Sequence, residues 1–139
     1  MQRARETTEA LEHRWNAVAL VDARVGEIQS PGVPPEQRKD WLRDILLRRW
    51  SELGQPHDRW RSNVLQTLLG IREDTIVFSH SVAINVAVEF AMGDDRVTPF
   101  LPANCSCTVM DAQDGRLPML ELGNEDASGR ILQGHSKGG

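Results

Sequence analysis

Cysteine is scarce in this sequence: Cys105 and Cys107 are the only two in 139 residues. They stand two apart in a strand-like run, which turns both to one face and sets them poorly for bridging each other, so a disulfide framework is excluded. The spacing predicts core thiols. A metal site would need further Cys or His at ligand spacing, and no such cluster is present. Long apolar runs are also missing. The least polar stretch, residues 75–92, is broken by His80, Asn85 and Glu89, so it reads as a buried strand and helix and not as a membrane span. Residues 1–14 are too charged for a signal peptide. A cytoplasmic protein that works away from membranes is expected.

Excess positive charge is absent as well. The net charge is −4 and the pI near 5.5, which disfavours general nucleic-acid binding. The charge is uneven, with +2 over residues 1–72 and −6 over residues 73–139. An anion site would draw its cations from the first half. The length suits one domain, there is no internal repeat, and the only linker-like stretch is residues 26–35.

Residues 2–15 are rich in Arg, Glu, Ala and Leu and read as a helix. Residues 17–21 read as a short buried strand. Trp41, Leu42, Ile45, Leu46, Trp50 and Leu53 share one helical face, with Pro35 near its start. Residues 57–69 repeat that pattern around Trp60, Val64, Leu65 and Leu68. Thr75-Ile-Val-Phe78 suits a strand covered on both faces, and residues 82–92 form a buried helix. Residues 105–110 and 117–122 read as strands joined through Asp114-Gly115, a hairpin signal. The fold class is α/β, with a parallel portion and a C-terminal antiparallel hairpin.

Chemistry concentrates at Thr75-Ile-Val-Phe-Ser-His-Ser-Val-Ala-Ile84. His80 lies where a strand ends and a helix begins, the position at which open α/β sheets bind ligands. The helix start offers unpaired N–H groups and partial positive charge, suited to phosphate. The alternative is a strand-end histidine hydrogen-bonded in the core. Arg3 and Arg5 open the first helix and can hold an oxyanion; the alternative is a solvated face with Arg5 paired to Glu9. Flanking apolar residues could desolvate Glu27 and raise its pKa towards proton-transfer range, or it is an ordinary loop glutamate. His13, His57 and His135 stand in polar contexts and receive no role.

Together these segments resemble the histidine phosphatase superfamily, the phosphoglycerate mutase-like proteins. Met1-Gln-Arg-Ala-Arg-Glu-Thr-Thr8 is similar to the end of that family's Ser-x-Leu-x-Arg-Ala-x-x-Thr-Ala segment. Residues 22–27 resemble its acidic segment, residues 76–84 its second histidine segment, and Asn104-Cys-Ser-Cys-Thr-Val109 the Asn-x-Ser strand that follows. The resemblance implies a three-layer sandwich and phosphoryl transfer from a small phosphomonoester through a phosphohistidine. Carried over by position, Arg3 and His80 belong to the phosphate pocket, Glu27 is the acid with Asp22 its rival, and Ser81 stands where many members have Gly. No metal or organic cofactor is implied, because histidine and arginine supply the positive charge.

One element of the family pattern is absent: residues 1–139 contain no Arg-His-Gly, the motif that carries the nucleophile. The resemblance therefore implies a domain over residues 1–132 that lacks its N-terminal strand, followed by a disordered tail over residues 133–139. Such a chain is expected to be inactive alone. The alternative is a non-catalytic phosphate-binding or protein-interaction module built on the same fold.

Overall fold

The computed structural model describes residues 2–127; the expected tail at 133–139 lies outside them. The chain is mixed helix and strand, in the order α1 Gln2–Trp15, α2 Arg38–Leu46, α3 His57–Leu69, α4 Ser81–Met92, β1 Val109–Met110 and β2 Met119–Glu121. Single 3-10 turns at Ala23–Val25, Pro35–Gln37 and Trp50–Glu52 punctuate the connections.

The core forms where α2, α3 and α4 meet. Ile45 of α2, Val64 of α3 and Val82, Ala83 and Val86 of α4 are buried together with Ile28, Trp50 and Val97. Removal of such side chains from water is the main favourable contribution to folding. Two polar groups accept burial because they are satisfied. Asn85 donates from Nδ2 to the Ser81 carbonyl (2.9 Å) and accepts from the Phe100 N–H (3.1 Å). Glu89 receives both arms of Arg61, at 2.6 and 2.9 Å, which joins α4 to α3. The Arg61 guanidinium also lies 5.6 Å from the Trp50 ring centroid, and Trp50 stacks on Trp60 at 6.1 Å. Gly93 ends α4 in the left-handed conformation (φ 66°), with the Asp94 N–H returning to the Glu89 carbonyl at 2.9 Å, a helix stop that glycine permits at little cost.

The helices expected at 2–15, 57–69 and 82–92 are present. The apolar face from Trp41 to Leu53 packs on the core as expected, but α2 stops at Leu46. The cause is long-range: the Trp50 N–H bonds the Asp95 carbonyl (2.8 Å) and the Val97 N–H bonds the Arg48 carbonyl (3.0 Å). These contacts divert the backbone out of the helix.

The hairpin is also present, though short. β1 and β2 pair antiparallel, and Asp114 (φ 48°) and Gly115 (φ 74°) turn the chain between them, as a two-residue primed turn requires.

The parallel portion of the sheet is not formed among the described residues, where the sheet is this two-stranded ribbon. Residues 17–21 were expected as a buried strand but are exposed, with Val18 86% and Leu20 95% accessible. Residues 75–78 make no ladder either, and Ile76 and Val77 face solvent. Strand-forming side chains yield a strand only when a neighbour pairs with the backbone, and no described segment does so. Helix α1 shows the same lack of a partner layer, since none of its residues is buried. The expected Arg5–Glu9 pair is not made; Gln2 instead bonds Glu6 at 3.0 Å.

The cysteines, expected as core thiols, are exposed. Cys105 occupies a left-handed turn (φ 59°) closed by the Ser106 N–H on the Ala103 carbonyl at 3.1 Å, so the alternation that would have buried both thiols never starts. Among the described residues no helix is long and apolar enough to cross a membrane.

Candidate functional site

His80 is the residue that precedes α4, in extended conformation (φ −107°, ψ 158°), with Ser81 opening the helix. Val82, Ala83 and Val86 anchor α4 in the core, and Asn85 ties the Ser81 carbonyl to the Phe100 backbone. The start of α4 is thus fixed from both sides. Its first N–H groups have no helical partner and carry the positive end of the helix dipole.

The residue before His80 fixes the second part of the site. Ser79 Oγ donates to the Val25 carbonyl at 2.5 Å, which ties the Ala23–Val25 turn to the segment that enters α4. Glu27 follows two residues later, half-buried between buried Gly26 and Ile28. Its negative charge reaches His80, and so does the positive charge of Arg3 from α1. Arg3 and Glu27 thus each act on His80 through charge, with no hydrogen bond or ion pair among the three.

The His80 imidazole is held below its ordinary pKa, first by burial and also by the positive charge of Arg3, with Glu27 opposing. Its Nε2 is buried without a hydrogen-bond partner. The satisfied core histidine weighed from sequence is not what forms. A buried polar atom left unpaired is costly, and an oxyanion accepting a hydrogen bond here would remove that cost.

Asp22 is engaged elsewhere. It accepts from the Arg24 backbone at 2.9 Å and from the Arg24 guanidinium at 2.6 Å, and the Arg24 hydrogen bonds lower its pKa to about 2. It caps the Ala23–Val25 turn as a carboxylate and has no proton to give near neutral pH.

Ser81 is exposed at the head of α4. Two contributors to the site escaped sequence reasoning. Ser79 resembles any loop serine until its partner 54 residues away is known. Asn85 gave a signal, a lone amide in an apolar helix, that points to a buried backbone partner. His57, in spite of its polar sequence context, is half-buried against Trp41 with ring centroids 5.9 Å apart, and neither of its nitrogens has a partner.

No protein-family model, no curated protein and no solved structure matches this chain.

Proposed function

We propose that the chain carries the phosphate pocket of a histidine phosphatase-like domain, a three-layer α/β sandwich acting on a small phosphomonoester in the cytoplasm. The observation that supports this reading is that Arg3 and Glu27, distant in sequence, each act on His80 through charge, in the order the resemblance implies. The unpartnered His80 Nε2 and the free N–H groups at the start of α4 add donors for phosphate oxygens. Two exposed, unbridged thiols fit a reducing compartment.

In the implied reaction a histidine nitrogen attacks phosphorus, and the bond from phosphorus to the leaving oxygen breaks. Glu27 delivers its proton to that oxygen, and water then cleaves the phosphohistidine to phosphate. Arg3 and His80 stabilise the charge on the transferring group. Glu27 is preferred to Asp22 as the acid because Arg24 holds Asp22 ionised.

The attacking histidine belongs to an Arg-His-Gly motif that residues 1–139 do not contain. Segments 17–21 and 75–78, neither of which joins a strand ladder among the described residues, fit a sheet whose inner strand comes from polypeptide other than residues 2–127. The 139-residue chain is therefore expected to bind phosphate without turning over an aryl phosphate. Phosphorus NMR of inorganic phosphate titrated with the chain should show binding that His80→Ala and Arg3→Ala each weaken about tenfold or more. Turnover of an aryl phosphate by the chain, abolished by His80→Ala, would contradict the assigned lack of nucleophile. An extended polypeptide carrying Arg-His-Gly should be active. Failure of that form, with phosphate binding intact, would favour the non-catalytic module.

A further inference from the structure

Residues 101–108 form a strap laid along residues 123–126. The Ala103 N–H donates to the Asn124 carbonyl and the Asp126 N–H to the Leu101 carbonyl, both at 2.8 Å, and the Gly123 N–H donates to Thr108 Oγ1 at 3.1 Å. A Cβ at Gly123 would lie 3.0 Å from the Cys107 carbonyl oxygen, closer than ordinary van der Waals contact. The strap is therefore backed closely by polypeptide on its inner side.

Its outer side carries two thiols. Cys105 and Cys107 are both exposed, with half-buried Ser106 between them. Cys105 is left-handed (φ 59°), in a turn closed by the Ser106 N–H on the Ala103 carbonyl at 3.1 Å. That conformation is uncommon for a residue with a side chain, and here its cost falls on an exposed nucleophile, as at sites where backbone strain serves function. Two peptide steps span about 7 Å in a fully extended chain, just beyond the roughly 4.4–6.8 Å over which a disulfide joins two Cα atoms. Residues 104–107 belong to no strand, so no ladder holds them at that extension, and rotation at Ser106 sets the separation of its two neighbours. The anchors at Ala103 and Thr108 lie outside the ring that would close.

We propose that Cys105 and Cys107 form a dithiol redox site whose reaction partner is a low-molecular-weight disulfide of the glutathione class. One thiolate attacks a sulfur of that disulfide, its S–S bond breaks, and one small thiol leaves. The second thiolate then attacks the protein-bound sulfur and displaces the other small thiol. Two protein thiols are oxidised to one Cys105–Cys107 disulfide, one small disulfide is reduced to two thiols, and the two cysteine protons end on the departing thiols. A ring this small is strained, and strained, exposed disulfides are the readily reduced ones, so the site follows the surrounding redox poise reversibly. The proposal does not depend on the reading of Arg3, Glu27 and His80.

The test treats the reduced 139-residue chain with oxidised glutathione, traps free thiols with N-ethylmaleimide and weighs the products by mass spectrometry. The main product should be lighter than the reduced chain by two hydrogens, carry no maleimide, and return to the dithiol with dithiothreitol. Cys105→Ser and Cys107→Ser should each accumulate the glutathione adduct of the remaining cysteine instead, at least tenfold above the unsubstituted chain. In concentrated urea the share of open glutathione adducts on the unsubstituted chain should rise at least fivefold, because the anchors at Ala103 and Thr108 are lost. Two stable adducts per chain, chain dimers joined through sulfur, or thiols still open to maleimide as the main outcome overturn the proposal. An unchanged product ratio in urea overturns the part assigned to the strap.

Discussion

Ser79 Oγ reaches the Val25 carbonyl at 2.5 Å, a hydrogen bond that ties the turn leading to Glu27 to the chain leading to His80. It sits at the junction of two segments that share no ladder, so no strand pairing duplicates it. Ser79→Ala should therefore cost about 1 kcal/mol of stability and weaken phosphate binding more than that loss explains, because the tie between the segments that carry Glu27 and His80 would be lost. Thermal melts with phosphate titrations of the variant check this. A melt change with unaltered phosphate affinity would show the bond to be structural only.

The imidazole of His80 is held below its ordinary pKa by burial and by neighbouring positive charge. As pH falls, the unfolded chain takes up this proton first, near its ordinary value of 6.5, so the folded state loses stability from about pH 6.5 down through the lowered value. His80→Gln should remove that part of the slope. Saturating phosphate should reverse it, because an anion beside the ring favours the imidazolium. The check is melting temperature against pH for both proteins, with and without phosphate.

The ion pair between α3 and α4 behaves in the opposite sense. Glu89 is 1% exposed, and burial raises its pKa while Arg61 lowers it. Arg61→Ala leaves the carboxylate buried and unpaired, with an expected loss of about 3–5 kcal/mol at neutral pH. A raised carboxyl pKa means that the folded state binds protons the unfolded state has released, so the variant should regain stability as the solution is acidified towards pH 5. Glu89→Gln in the same background should abolish that recovery. Urea unfolding at pH 5 and pH 7.5 distinguishes the cases.

Helix α4 was legible because its residues are apolar on nearly every side, and α3 because Trp60, Val64, Leu65 and Leu68 recur at helical spacing. The break after Leu46 was not legible, since it depends on backbone bonds from Arg48 and Trp50 to Asp95 and Val97. Strands 17–21 and 75–78 have the right side chains, but a strand also requires a neighbour, which composition cannot supply. Cys105 misled because a left-handed residue interrupts the period-two pattern. At the site, Arg3, Glu27 and His80 could be nominated from their segments, whereas the Ser79 clamp, which joins residues 54 apart, required three dimensions.

The segment around Leu20 gives the last expectation. Leu20 is 95% exposed and Val18 86%, and neither residue donates or accepts a backbone hydrogen bond among the described residues. In the 139-residue chain, Leu20→Asp should change stability by less than about 0.5 kcal/mol, as for any surface position, and should raise solubility by removing an exposed apolar side chain. In a polypeptide whose sheet is completed through this edge, the same substitution buries a carboxylate in an apolar layer and should be strongly destabilising. Parallel urea titrations of the two forms read out that difference. Equal, small effects in both would mean that residues 17–21 stay at the surface even where Arg-His-Gly is present, which would remove them from the sheet of the proposed sandwich.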